Sequence, residues 1–131
     1  MELKRVGVVR SPLTEREAAP KQGYEGAPEA WLEFEPWVAE AVAGIGAGDE
    51  VLVLTWLDRG DRDVLRVHPR DDLSRPMEGV FTTRSSDRPN PIGLHRVRVL
   101  EVDGLRLRVA ALEALDSTPV VDVKPPLKNE R

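Results

Sequence analysis

A chain of 131 residues carrying 19 basic and 23 acidic side chains, for a net charge of −4, is sized for one domain with a true core. It is not built to hold nucleic acid by bulk electrostatics. The absence of cysteine excludes disulfides, thiolate metal sites, iron–sulfur clusters and cysteine nucleophiles. No run is apolar for long enough to read as a signal peptide or a membrane span, so the expectation is a cytoplasmic protein with no membrane contact.

Residues 3–10 read as a first strand, ended by Ser11 and Pro12. Residues 15–28 are polar, with two glycines and two prolines, and read as a loop. Residues 31–35 alternate and predict a short strand. Pro36 suits the first position of a helix, and Val38, Ala41, Val42 and Ile45 recur at helical spacing, so residues 36–45 predict one short amphipathic helix. Gly44, Gly46 and Gly48 stop it. A glycine run that follows a helix and opens a strand is in the wrong order for a dinucleotide-binding loop, which follows a strand and opens a helix. It reads instead as a helix end plus a turn.

Residues 50–57 are nearly all apolar and predict a buried strand. Residues 64–67 read as an edge strand inside a charged loop, and residues 79–83 as a strand. Residues 94–102 and 105–110 alternate about Asp103-Gly104, a strong hairpin signal. Residues 120–123 form a last strand, and the tail from residue 128 reads as frayed. Many short strands with one short helix predict a mainly β fold, a small antiparallel β-barrel. Residues 1–131 are expected to form that single domain, with no additional C-terminal one.

The segment Arg84-Ser-Ser-Asp-Arg-Pro-Asn-Pro-Ile-Gly-Leu-His-Arg-Val97 stands out. Pro89 and Pro91 fix φ and push Arg88 and Asn90 towards extended geometry. A stiff loop of Arg, Ser and Asn suits a small anionic or polar ligand; a rigid solvated connection is the alternative. Asp58 and Arg59, directly after the buried strand, open a sign-alternating run that is either a solvated loop or part of a site. Leu115, Asp116 and Ser117 lie just before the last strand, where they either satisfy turn amides or meet a ligand. His68 and His95 have no metal-ligand spacing and read as surface or hydrogen-bonding residues. A Ser85–His95–Asp116 triad lacks the nucleophile elbow that would support a hydrolase.

Four landmarks occur in the order found in one family: Gly7 to Leu13, Pro20 to Tyr24, Gly79 to Val97, and Leu112 to Pro125. Together they resemble the TsaA-like, or TrmO, family over nearly the whole chain. The resemblance implies a small β-barrel that binds S-adenosylmethionine outside a Rossmann domain. It implies a homodimer whose two chains share each cofactor site. It also implies methylation of the exocyclic amine of a hypermodified adenosine beside the anticodon of a tRNA.

By motif match, the cofactor contacts fall on Pro20, Lys21, Gln22, Asp58, Arg59, Arg84, Leu94, Leu115, Asp116 and Ser117. Lys21 or Arg84 would pair the methionine carboxylate, and Leu94 and Leu115 would flank the adenine. Asp116 is the candidate catalytic acceptor for the amine proton. Arg88, Asn90 and Arg96 would meet the substrate, and no metal is expected. The chain departs from the pattern at Lys21, where the family has arginine, at Ser117, where it has glycine, and at Pro126, where an aromatic usually follows Lys-Pro. Asp58 and Arg59 stand where many members carry a histidine. A small-molecule methyltransferase and a non-enzymatic RNA- or nucleotide-binding module are the rival readings.

Overall fold

Strand β6 (Ile92–Asp103) shows why this sequence closes on itself. From residue 92 to residue 99 its residues alternate strictly between exposed and buried, with Gly93, His95, Val97 and Val99 inward. That period of two gives a sheet one wet and one dry face, and a single sheet with one dry face can bury it by closing into a barrel. The computed structural model describes residues 1–15 and 26–129. Five further strands complete the barrel: β1 (Gly7–Arg10), β2 (Ala30–Phe34), β3 (Glu50–Trp56), β7 (Arg106–Ala110) and β8 (Pro119–Lys124). The order around it is β1-β2-β7-β6-β3-β8, with antiparallel neighbours throughout. Two short strands, β4 (Arg66–Val67) and β5 (Glu78–Gly79), pair outside it.

The core is the barrel interior. Val9, Leu32, Val53, Val99, Leu107, Val109, Leu112 and Val120 are fully buried there. Burying a side chain of this size contributes about 1.5–3 kcal/mol against leaving it exposed. Asp103-Gly104 makes the expected hairpin between β6 and β7, with Gly104 at a φ of 60°.

Three local expectations differ from the structure. The first strand begins at Gly7 rather than residue 3, and Leu3 remains exposed. The single helix expected over residues 36–45 is a 3₁₀ turn, Pro36–Val38, followed by one turn of α-helix, α1 (Ala39–Val42). Gly44, at a φ of 94°, ends it early, and only Val38 and Val42 of its stripe are buried. The strand expected over residues 79–83 pairs only at Glu78–Gly79, then tightens into the 3₁₀ turn Val80–Thr82. There Thr82 Oγ1 donates to the Gly79 carbonyl at 2.7 Å and Thr83 Oγ1 to that of Val80 at 3.0 Å. Such local side-chain bonds compete with a strand ladder.

The antiparallel registers place the C-terminal ends of β1, β3 and β7 and the first residues of β2, β6 and β8 at one end of the barrel. The segments singled out after residue 57, before residue 97 and before residue 119 therefore converge on one rim.

Candidate functional site

A cleft of ≈ 1330 Å³ opens at that rim. One wall is the segment after β3, from Leu57 to Gly60. A second is residues 82–88, and a third the start of β6. The loop before β8, residues 113–115, forms its base, and residues from β4 to β5 flank it. Asp58, Arg59, Arg84, Arg88, Leu94 and Leu115 all line it, so residues far apart in sequence share one space.

The stiff loop is tied down both by the segment after β3 and by its own Arg88. Arg62 Nε donates to the Pro89 carbonyl at 2.7 Å and its guanidinium to Asn90 Oδ1 at 3.0 Å. The Asp61 amide donates to Asp87 Oδ1 at 2.9 Å. Arg88 reaches back with one nitrogen to the carbonyls of Val80 and, at 2.7 Å, Thr83. Its Nε is buried without a partner. A buried unsatisfied N–H costs about 1–3 kcal/mol, so the site carries an unmet donor. Arg59 donates to the Thr14 carbonyl at 2.8 Å, tying the wall after β3 to the chain after β1.

Other expected site residues lie elsewhere. Arg96 points to the barrel exterior and pairs with Glu50 at 2.6 Å. Asn90 is taken up by Arg62. Asp116 and Ser117 are not among the cleft-lining residues. Asp116 Oδ1 accepts the Ser11 amide at 3.0 Å and its own amide donates to the Leu13 carbonyl at 2.7 Å, latching the loop before β8 to the end of β1. Ser117, at a φ of 69°, accepts a bond from Arg10 at 3.2 Å. Pro20, Lys21 and Gln22 fall outside the described residues.

The sequence reading missed the polar group inside the barrel. Of the two expectations for His95, surface or hydrogen-bonding, the second holds: it is buried and bonded through both ring nitrogens. Its Nε2 lies 2.7 Å from Thr55 Oγ1 and its Nδ1 lies 2.5 Å from Glu113 Oε1. Neither Ser85 nor Asp116 is its partner, so the Ser–His–Asp alternative has no geometry behind it. Strand parity was the available signal, because His95 shares the inward face with Val97 and Val99. Among the described residues no group of acidic and histidine side chains could hold a metal ion.

Fold and site define a six-stranded antiparallel barrel with a mixed apolar and charged cleft at one rim. Comparison with known proteins makes this more particular. The model of the tRNA-methyltransferase O N-terminal domain matches residues 8–129, and the chain belongs to that family. A probable S-adenosyl-L-methionine-binding protein of Methanothermobacter thermautotrophicus is 46% identical over 123 residues, covering 94% of this chain and 88% of the relative. An S-adenosyl-L-methionine-binding protein of Archaeoglobus fulgidus is 44% identical over 125 residues, covering 95% of this chain and 88% of the relative. A crystal structure of TrmO from Pseudomonas aeruginosa superposes with a TM-score of 0.76 at 29% identity, covering 100% of this chain and 60% of that one. A further A. fulgidus relative at 46% identity is spanned only to 34% of its length.

Proposed function

We propose that this chain is an S-adenosylmethionine-dependent methyltransferase that modifies the exocyclic amine of a hypermodified adenosine beside the anticodon of a tRNA. The observation that carries this is the convergence at one rim of segments that match the family's motifs, within a family match over residues 8–129. The cleft's composition fits the donor. Leu57, Leu94 and Leu115 offer apolar surface to a heterocycle, Arg84 offers a cation to a carboxylate, and the unpartnered Arg88 Nε offers a donor. At ≈ 1330 Å³ the space exceeds the roughly 300–1,000 Å³ usual for one small ligand, leaving room for an acceptor nucleotide.

When bound, the sulfonium supplies an activated methyl group and a neutral leaving group. The protein's own work is alignment and exclusion of water. The Arg62 and Arg88 braces hold the Pro-rich loop in one conformation, so its donors are placed before the ligand arrives. Asp116 holds Leu115 at the cleft base through its bond to the Ser11 amide. A homodimer with a shared site is supported by exposed apolar side chains around the flanking strands, with Leu65 at 67% and Phe81 at 87% relative exposure. A tRNA substrate implies a cytoplasmic setting. Among the described residues no helix is long and apolar enough to cross a membrane.

The test is incubation of the full chain with methyl-labelled S-adenosylmethionine and either bulk tRNA or a small-metabolite extract. Label entering RNA supports the reading. Label entering only small molecules makes the protein a small-molecule methyltransferase. Binding of the donor with no transfer to either makes it a non-enzymatic module.

A further inference from the structure

Glu113 sits at the base of the cleft with its side chain 13% exposed, in contact with the buried His95 at 2.5 Å. His95 is itself held by Thr55 at 2.7 Å. With the proton on Nδ1, His95 donates to the carboxylate while Nε2 accepts the Thr55 hydroxyl, and both ring nitrogens are satisfied. The surrounding backbone is shaped to this pair. A Cβ on Gly93 would overlap Thr55 Oγ1 and fall 2.7 Å from His95 Nε2. Gly93 faces Thr55 across the β3–β6 register, and His95 faces Val53.

Among the described residues only His95 donates to the Glu113 carboxylate. One oxygen, Oε1, is anchored by His95 from inside the barrel, and Glu113 also lines the cleft, as Leu94 and Leu115 do. A nearly buried carboxylate is costly to leave unpaired. Neutral hydroxyl donors satisfy it without bringing a second charge into the same confined space.

We infer that Glu113, fixed in place by His95, accepts hydrogen bonds from the vicinal ribose hydroxyls of the bound nucleoside donor. This rests on the reading of the cleft as a nucleoside-donor site. A free nucleoside has two adjacent hydroxyls, whereas a nucleotide inside an RNA strand has its 3′ oxygen esterified. The diol therefore belongs to the donor and not to the RNA. Glu113 is a binding residue and His95 a positioning residue.

The experiment is calorimetric titration of the full chain with S-adenosylhomocysteine, which cannot react, and with its 2′-deoxy and 3′-deoxy counterparts. The wild-type protein is expected to lose about tenfold or more in affinity on removal of a hydroxyl, as for a hydrogen bond to a charged group. In Glu113→Ala the ratio between the intact and deoxy compounds falls to near one. In Glu113→Gln, which keeps shape and one acceptor, it falls to a few-fold. His95→Gln, which frees the carboxylate to swing, also lowers the ratio, a change that mere loss of stability would not produce.

Equal affinity of wild type for intact and deoxy compounds overturns the inference without any variant having to fold. A ratio that survives in Glu113→Ala overturns it as well, and one that survives in His95→Gln removes the positioning role. Failure of wild type to bind any of the three compounds overturns the donor-site reading itself, a distinguishable outcome.

Discussion

Gly60 and Ser86 meet backbone to backbone: a Cβ on Gly60 would drive into the Ser86 carbonyl oxygen and sit 3.0 Å from Pro91 Cβ. This contact joins the wall after β3 to the Pro-braced loop. Gly60 is not at positive φ, so the requirement is space and not backbone conformation. Its amide donates to the Leu57 carbonyl at 2.8 Å, which closes the turn that brings it there.

Gly60→Ala is therefore expected to push the two walls apart. The cost in stability is about 1–3 kcal/mol, the usual range for overpacking a closed site. Urea denaturation measures it. Donor affinity should fall in the same variant, because Asp58, Arg59 and Arg84 are displaced together. A variant with unchanged stability and unchanged donor binding would mean that the two walls are not mechanically joined.

Arg84 is exposed on the cleft wall beside the braced loop. Charge-assisted bonds from guanidinium to carboxylate contribute roughly 1.5–3 kcal/mol. Arg84→Ala is expected to weaken S-adenosylmethionine binding by about tenfold or more on that scale, while leaving urea stability within about 0.5 kcal/mol, as for an exposed side chain. Titration calorimetry reads the first and denaturation the second. Unaltered affinity removes Arg84 from the donor site.

Much of this site was legible because its segments lie at strand ends and carry turn chemistry. Pro89, Pro91 and Gly93 mark the braced loop, and Asp58-Arg59 follows an apolar run that can only be a buried strand. Alternation also predicts the closed sheet, since Val97 and Val99 oppose Arg96 and Arg98. The same alternation places Arg96 outside, where Glu50 pairs it. The Thr55–His95–Glu113 group was hidden for another reason. Its members lie 40 and 18 residues apart, and only the β3–β6 register brings the first two together. The helix over residues 36–45 was overextended because hydrophobic spacing says where a stripe would lie, not where Gly44 terminates it.

Asp72 accepts two hydrogen bonds from Ser74. The Asp72 pKa is held below the ordinary carboxylate range by the Ser74 hydroxyl at 2.6 Å and then by the Ser74 amide at 3.0 Å. Both bonds favour the charged form. The folded pKa is depressed, so the stabilising contribution is present above the unfolded value of about 3.9 and is lost as pH falls through the folded value. Ser74→Ala removes the larger cause and leaves the amide bond. The Asp72 midpoint, followed by the carboxyl carbon resonance, should move up part of the way towards the ordinary range. A midpoint that does not move would mean that the hydroxyl bond is absent in solution.

Ser117 occupies a left-handed conformation, φ 69°, where the family pattern has glycine. A side chain in that region costs roughly 1–2 kcal/mol that glycine avoids. What holds it there is the turn: the Ser117 amide donates to the Val9 carbonyl at 2.7 Å, and the Thr118 amide to Leu115 at 3.2 Å. The side chain returns little, since its bond from Arg10 is exposed at 3.2 Å and its bond to Asp116 is long at 3.4 Å. Relief of strain outweighs both, less the greater entropy that glycine brings to the unfolded chain. Ser117→Gly is expected to stabilise the protein by about 0.5–1 kcal/mol, read as a higher urea midpoint at unchanged slope. A lower midpoint would show that the Arg10–Ser117 contact contributes more than its geometry suggests, and that this chain's departure from glycine is a stabilising one.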